Sequence, residues 1–132
     1  MKNRIELAKQ FKELGFKVGA EVGVFDGHYS EILCRENPGL KLYAIDPFEV
    51  YKDYRDHKFR SSMDRALEKM FMALKSYDTV FIKKFSTDAV KDFADESLDF
   101  VYIDGNHEYK YVKEDMELWT PKVRKGGVIA GH

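Results

Sequence analysis

A chain of 132 residues and 15.4 kDa is long enough for one hydrophobic core and short for an elaborate enzyme. Lys plus Arg number 22 against 23 Asp plus Glu, so a formal net charge of -1 leaves no global field to recruit nucleic acid or an anionic membrane. The single Cys34 excludes an intramolecular disulfide, no apolar run reaches bilayer-spanning length, and no signal-peptide pattern follows Met1. A reduced, cytoplasmic setting is the expectation. No repeat or low-complexity tract interrupts the chain, so residues 1–132 are expected to form a single domain.

In chain order, Leu7, Phe11 and Leu14 recur at helical spacing and Gly15 follows as a C-cap, predicting a helix over 3–14. A first strand follows from Val18 to Val24. A helix over Tyr29 to Arg35 is closed by Asn37-Pro38-Gly39, and Lys41 to Ile45 reads as the second strand. Met63, Leu67, Met70, Phe71 and Leu74 form an apolar helical stripe, with Leu67, Phe71 and Trp119 expected in the core. Thr79 to Lys83 is the third strand, Thr87 to Phe93 a short helix and Leu98 to Ile103 the fourth strand. Val112, Met116 and Trp119 mark another helix, and Gly126-Gly127 leads into a fifth strand at Val128 to Ala130. Strands alternating with helices predict an α/β fold: a doubly wound parallel sheet with helices on both faces and right-handed crossovers.

Such sheets bind ligands outside the carboxyl ends of their strands. Polar residues collect there: Glu21 to Gly27 after the first strand, Asp46-Pro47-Phe48 after the second, Phe85-Ser86-Thr87 after the third, and Asp104-Gly105-Asn106-His107 after the fourth. The turn "EVGVFDGHYS" does not fit the dinucleotide pattern G-x-G-x-x-G: counting from Gly23, Phe25 and His28 stand where glycines are needed. That spacing argues against a nicotinamide-dependent oxidoreductase. Asp46 follows Gly27 by 19 residues, about the separation at which an acid at the second strand tip reaches ribose hydroxyls, so a ribose-bearing ligand is expected.

"EVGVFDGHYS", "YAIDPF", "SLDFVYIDGNHEY" and "GGVIAGH", in this order, resemble the successive motifs of class I S-adenosylmethionine-dependent methyltransferases. The likeness is to the small-molecule O-methyltransferase-like branch, whose fourth strand ends in Asp-Gly-x-His, and it covers residues 18–132. It implies a Rossmann-like sheet of order 3-2-1-4-5. It also implies that Glu21, Gly23 and Gly27 line the methionine part of S-adenosylmethionine, that Asp46 holds the ribose, that Phe48 flanks the adenine and that Ser86 and Thr87 contact the adenine edge. Asp104 belongs to the same cofactor site. Blander roles stand beside these: tight-turn glycines, a Glu21 satisfied by backbone N–H groups, and Ser86 and Thr87 as plain helix caps.

The implied activity is O-methylation of a small hydroxylated acceptor, with Asp104 organising the site and His107 as base; a histidine that only caps or packs is the alternative at that position. Metal-dependent relatives use an acid at the position of Asp104 as a Mg²⁺ ligand, although His132 offers nitrogen where magnesium prefers oxygen. The family continues beyond the fifth strand through a helix and two further strands, so the sequence reads as C-terminally incomplete. A fifth strand left as a bare edge predicts association of copies through it. A module that binds S-adenosylmethionine or S-adenosylhomocysteine without turnover is the alternative function. Residues 49–61 suit either a lid over the substrate or a solvated loop or short helix.

Overall fold

The computed structural model describes residues 3–48, 57–104 and 109–131, with backbone alone for 57–61, 63 and 109–111. Its elements are α1 (Arg4–Glu13), β1 (Val18–Val22), α2 (His28–Glu36), β2 (Lys41–Ile45), α3 (His57–Leu74), β3 (Thr79–Ile82), α4 (Ser86–Ala89), β4 (Leu98–Ile103), α5 (Tyr109–Trp119) and β5 (Val123–Gly131). The five strands form one parallel sheet in the order β3-β2-β1-β4-β5, the doubly wound arrangement expected from the alternation.

Local chemistry sets the element ends. The Asn3 side chain accepts the Glu6 N–H at 2.8 Å and so caps α1. At the other end Leu14 is the cap residue and Gly15, at φ 73°, is the left-handed residue beyond it. Gly15 N–H bonds Lys12 O and Phe16 N–H bonds Phe11 O, the paired bonds of a Schellman motif, with Phe11 and Phe16 in ring contact at 5.4 Å.

The sheet's alternation sorts its side chains onto two layers. Leu42, Phe100 and Tyr102 join Leu7, Phe11, Tyr29 and Leu33 under α1 and α2, and Ala44 joins Ala66, Met70 and Leu74 under α3. Ala20, Val22, Ile45, Val101 and Ile103 point the other way, against Ala89, Val90, Phe93 and Trp119. Gly19 is required here, since a Cβ on it would lie 2.1 Å from Phe100 Cε2.

Three expectations need correction. Phe71 is 51% exposed: its ring meets Phe81 of the edge strand β3 edge-on at 5.4 Å, and the sheet ends there, so the outer flank of the α3 stripe has nothing further to bury against. Leu67 is half-buried, while Trp119 is fully buried as expected. The fifth strand begins at Val123, with Gly126 and Gly127 inside it. The β4–β5 register shifts between Leu98 and Phe100, and a Cβ on Gly127 would stand 2.4 Å from Asp99 O, so these glycines serve an irregular close pairing. The first strand, expected to reach Val24, ends at Val22, and Gly23 at φ 91° starts the turn. Residues 49–56 lie outside the described residues, and 57–60 begin α3. No described helix is long and apolar enough to cross a membrane.

Candidate functional site

Register brings the acids together. Val22 aligns with Ile45 and with Ile103, and Ile45 with Ile82, so Gly23, Asp46, Lys83 and Asp104 leave the sheet at one level. Two backbone bonds extend the alignment beyond the strands: Gly23 N–H to Ile45 O at 2.8 Å and Asp104 N–H to Val22 O at 2.7 Å.

Asp46 organises the turn between β1 and α2. Its Oδ2 accepts the Phe25 N–H at 3.0 Å and its Oδ1 the Phe48 N–H at 2.8 Å. Both donors are non-glycine residues at positive φ, 53° and 48°, a conformation that costs about 1–2 kcal/mol and persists where neighbours hold it. Burial raises the Asp46 pKa, opposed by these backbone bonds. Val24 N–H is a third backbone donor to the carboxyl, and of a carboxylate's roughly four acceptor positions about one remains for a ligand. Gly27, at φ 80°, has its Cα side against α3, where a Cβ would meet Met70 Cα at 3.0 Å; Asp26 then caps the helix start by accepting the His28 N–H. Phe48 is buried against α3 and meets Phe81 edge-on, so its ring sits in the core, whereas Phe25 is exposed at the turn.

Glu21 is 1% exposed on the α2 side of β1. Its carboxylate accepts a hydrogen bond from the Ser30 hydroxyl, a side-chain partner in place of the backbone N–H groups expected. Desolvation, only partly offset by Ser30 and reinforced by Asp104, pushes its pKa up to about 8. At neutral pH the site therefore holds Glu21 mainly protonated.

Asp104 is engaged by a residue far away in sequence. Arg4 Nη1 lies 3.2 Å from Asp104 Oδ2, and its guanidinium carbon stands 4.9 Å from the Tyr29 ring centroid. The Tyr29 hydroxyl donates to Arg4 O at 2.8 Å. Asp104 thus faces a cation, and no group of three or more metal-ligating His, Cys, Asp or Glu side chains forms among the described residues. Gly105, Asn106, His107 and His132 lie outside the described residues.

Ser86 and Thr87 cap nothing: Phe85 is the residue before α4, and the Ser86 hydroxyl donates instead to Asp115 Oδ1 of α5. The physical reason is that a buried carboxyl, its pKa raised by desolvation, needs a donor, and Ser86 is within reach. Thr87 is exposed. Four partners thus escaped the sequence reading: Arg4, Tyr29, Ser30 and Asp115. Only Ser30 carried a signal, nine residues after Glu21 in the same glycine-containing stretch.

Among solved structures, the chain superposes on a provisionally assigned O-methyltransferase from Klebsiella pneumoniae with a TM-score of 0.69 at 15% identity, covering 97% of this chain and 53% of that one. An O-methyltransferase family protein from Burkholderia thailandensis gives 0.65 at 15% identity, covering 95% and 35%. A spermidine synthase from Thermotoga maritima gives 0.66 at 13%, covering 93% and 40%, so the fold by itself does not name the reaction. An uncharacterized protein of Acanthamoeba polyphaga mimivirus is 25% identical over 115 residues, 83% of this chain, which spans about half (48%) of that relative's length. What separates these is the family model described as a methyltransferase domain, which matches residues 20–132, and by that match over most of its length the chain belongs to the methyltransferase-domain family.

Proposed function

We propose that the chain forms the cofactor-binding core of an S-adenosylmethionine-dependent methyltransferase acting on an oxygen of a small hydroxylated acceptor. The observation that carries this reading is the meeting of the family match with three acids, Glu21, Asp46 and Asp104, around one end of the sheet. When bound, S-adenosylmethionine supplies an electrophilic methyl group on a cationic sulfur. The residues fit such a ligand: the carboxylates of Asp46 and Asp104 suit a cation and would repel a pyrophosphate, with Glu21 neutral behind them. Gly23, at φ 91°, gives its methionine portion backbone room, Gly27 lets the turn pack against Met70 of α3, and Asp46 keeps about one acceptor position for a ribose hydroxyl.

Phe48 and Ser86 are proposed to border the adenine from the core side and from the start of α4, with Thr87 exposed next to it. Asp104 would organise the acceptor side, and His107, three residues on in the Asp-Gly-Asn-His motif, would take the proton of the acceptor hydroxyl, while bound S-adenosylmethionine would supply the methyl group, the electron pair of the broken carbon–sulfur bond staying on the sulfur of the S-adenosylhomocysteine that leaves.

Calorimetric titration with S-adenosylmethionine and S-adenosylhomocysteine tests the core of this reading; absence of binding for both refutes it. Methyl transfer by the longest natural form of the protein, with and without EDTA and with His107→Ala, tests the chemistry. Turnover that ignores His107→Ala eliminates the base. Tight binding without turnover across hydroxylated acceptors favours a binding module instead.

A further inference from the structure

The two carboxylates at the strand tips, Asp46 and Asp104, suit the sulfonium and ammonium groups of a methionine-derived ligand and repel its carboxylate, and the neutral Glu21 behind them offers that carboxylate no cation. A site with that composition needs a cation to accept the third group. The cation acting on Glu21 is Arg4, from the first turn of α1. Its guanidinium is anchored by Asp104 Oδ2 at 3.2 Å, by a hydrogen bond to the Tyr102 hydroxyl and by the face of Tyr29 at 4.9 Å, yet the side chain stays 39% exposed. A guanidinium carries five N–H donors in a rigid fork, and the contact with Asp104 uses Nη1. The fork is therefore held in place with donors to spare beside an acid cluster.

We infer that Arg4 recognises the α-carboxylate of the methionine portion of S-adenosylmethionine, while Asp104 beside it receives the α-ammonium. The inference rests on the cofactor reading above and adds α1, which that reading leaves outside the site, to the binding surface. Its signature is selectivity. A site built to bond a carboxylate discriminates against an analogue that lacks only that group, because the donor is then left without its acceptor.

The experiment compares S-adenosylmethionine with decarboxylated S-adenosylmethionine, which keeps the sulfonium, ribose and adenine, by titration calorimetry on the unmodified chain and on Arg4→Gln. The unmodified chain should prefer the carboxylated ligand by about ten- to a hundredfold, the range of a charge-assisted hydrogen bond. Arg4→Gln should bring the two affinities to within about threefold of each other, chiefly by weakening S-adenosylmethionine. A folding loss removes sites from both titrations equally and leaves the ratio unchanged. If Arg4→Gln does not fold, Arg4→Lys decides, since it keeps the charge without the fork and should show a reduced preference. An unmodified chain that binds both ligands equally, or a variant that keeps the full preference, overturns the role of Arg4 and leaves the cofactor reading standing. A chain that binds neither overturns both.

Discussion

Replacing Glu21 by Gln tests the central electrostatic claim about the site. The substitution keeps the shape and lets the amide oxygen accept the Ser30 hydroxyl, but removes the group that ionises. Burial lifts the folded pKa from 4.5 to about 8, so between those values the folded chain keeps a proton that the unfolded chain has lost. The stability that goes with the neutral carboxyl is fully present below the unfolded value and is lost as pH rises through the folded one. The slope is about 1.4 kcal/mol per pH unit, or roughly 2 kcal/mol between about pH 6 and about pH 7.5. Urea denaturation of both proteins across that window measures it. The difference between the curves is the relevant quantity, because Asp46 and Asp115, also raised by burial, contribute equally to both. Glu21→Gln should gain on the unmodified chain by about 2 kcal/mol over the window. Parallel curves would show that Glu21 is already ionised in the folded state and would refute the argument.

Two further outcomes follow from the geometry. Gly19→Ala should destabilise the fold by about 1–3 kcal/mol or more in thermal unfolding, because the new Cβ would fall 2.1 Å from a Phe100 ring that is fully buried and stacked on Phe11 at 4.3 Å. Asp46→Ala should weaken S-adenosylmethionine binding by about 1–3 kcal/mol and speed amide exchange at Phe25 and Phe48, whose N–H groups lose their acceptor; an unchanged dissociation constant would reject the ribose role.

The sequence by itself determined the alternation of strands and helices, and with it the parallel sheet and the end at which polar residues gather. These are local properties. Period, glycine and proline punctuation act over a few residues, which is why β2 and β4 fall at Lys41–Ile45 and Leu98–Ile103 as expected. The strand tips were legible for the same reason, so Glu21, Asp46 and Asp104 could be picked out before any contact was known. What those acids touch was decided only by the tertiary structure. Arg4 meets Asp104 across 100 residues, Ser86 meets Asp115 across 29, and the Gly126-Gly127 pair proves to serve a register shift inside β5. Even Phe71, placed in the core by helical period, is exposed because period reports which residues share a face and not how far the opposing sheet extends. Partnership depends on register between strands and on where each helix crosses the sheet, and both arise from the packing of the whole chain at once.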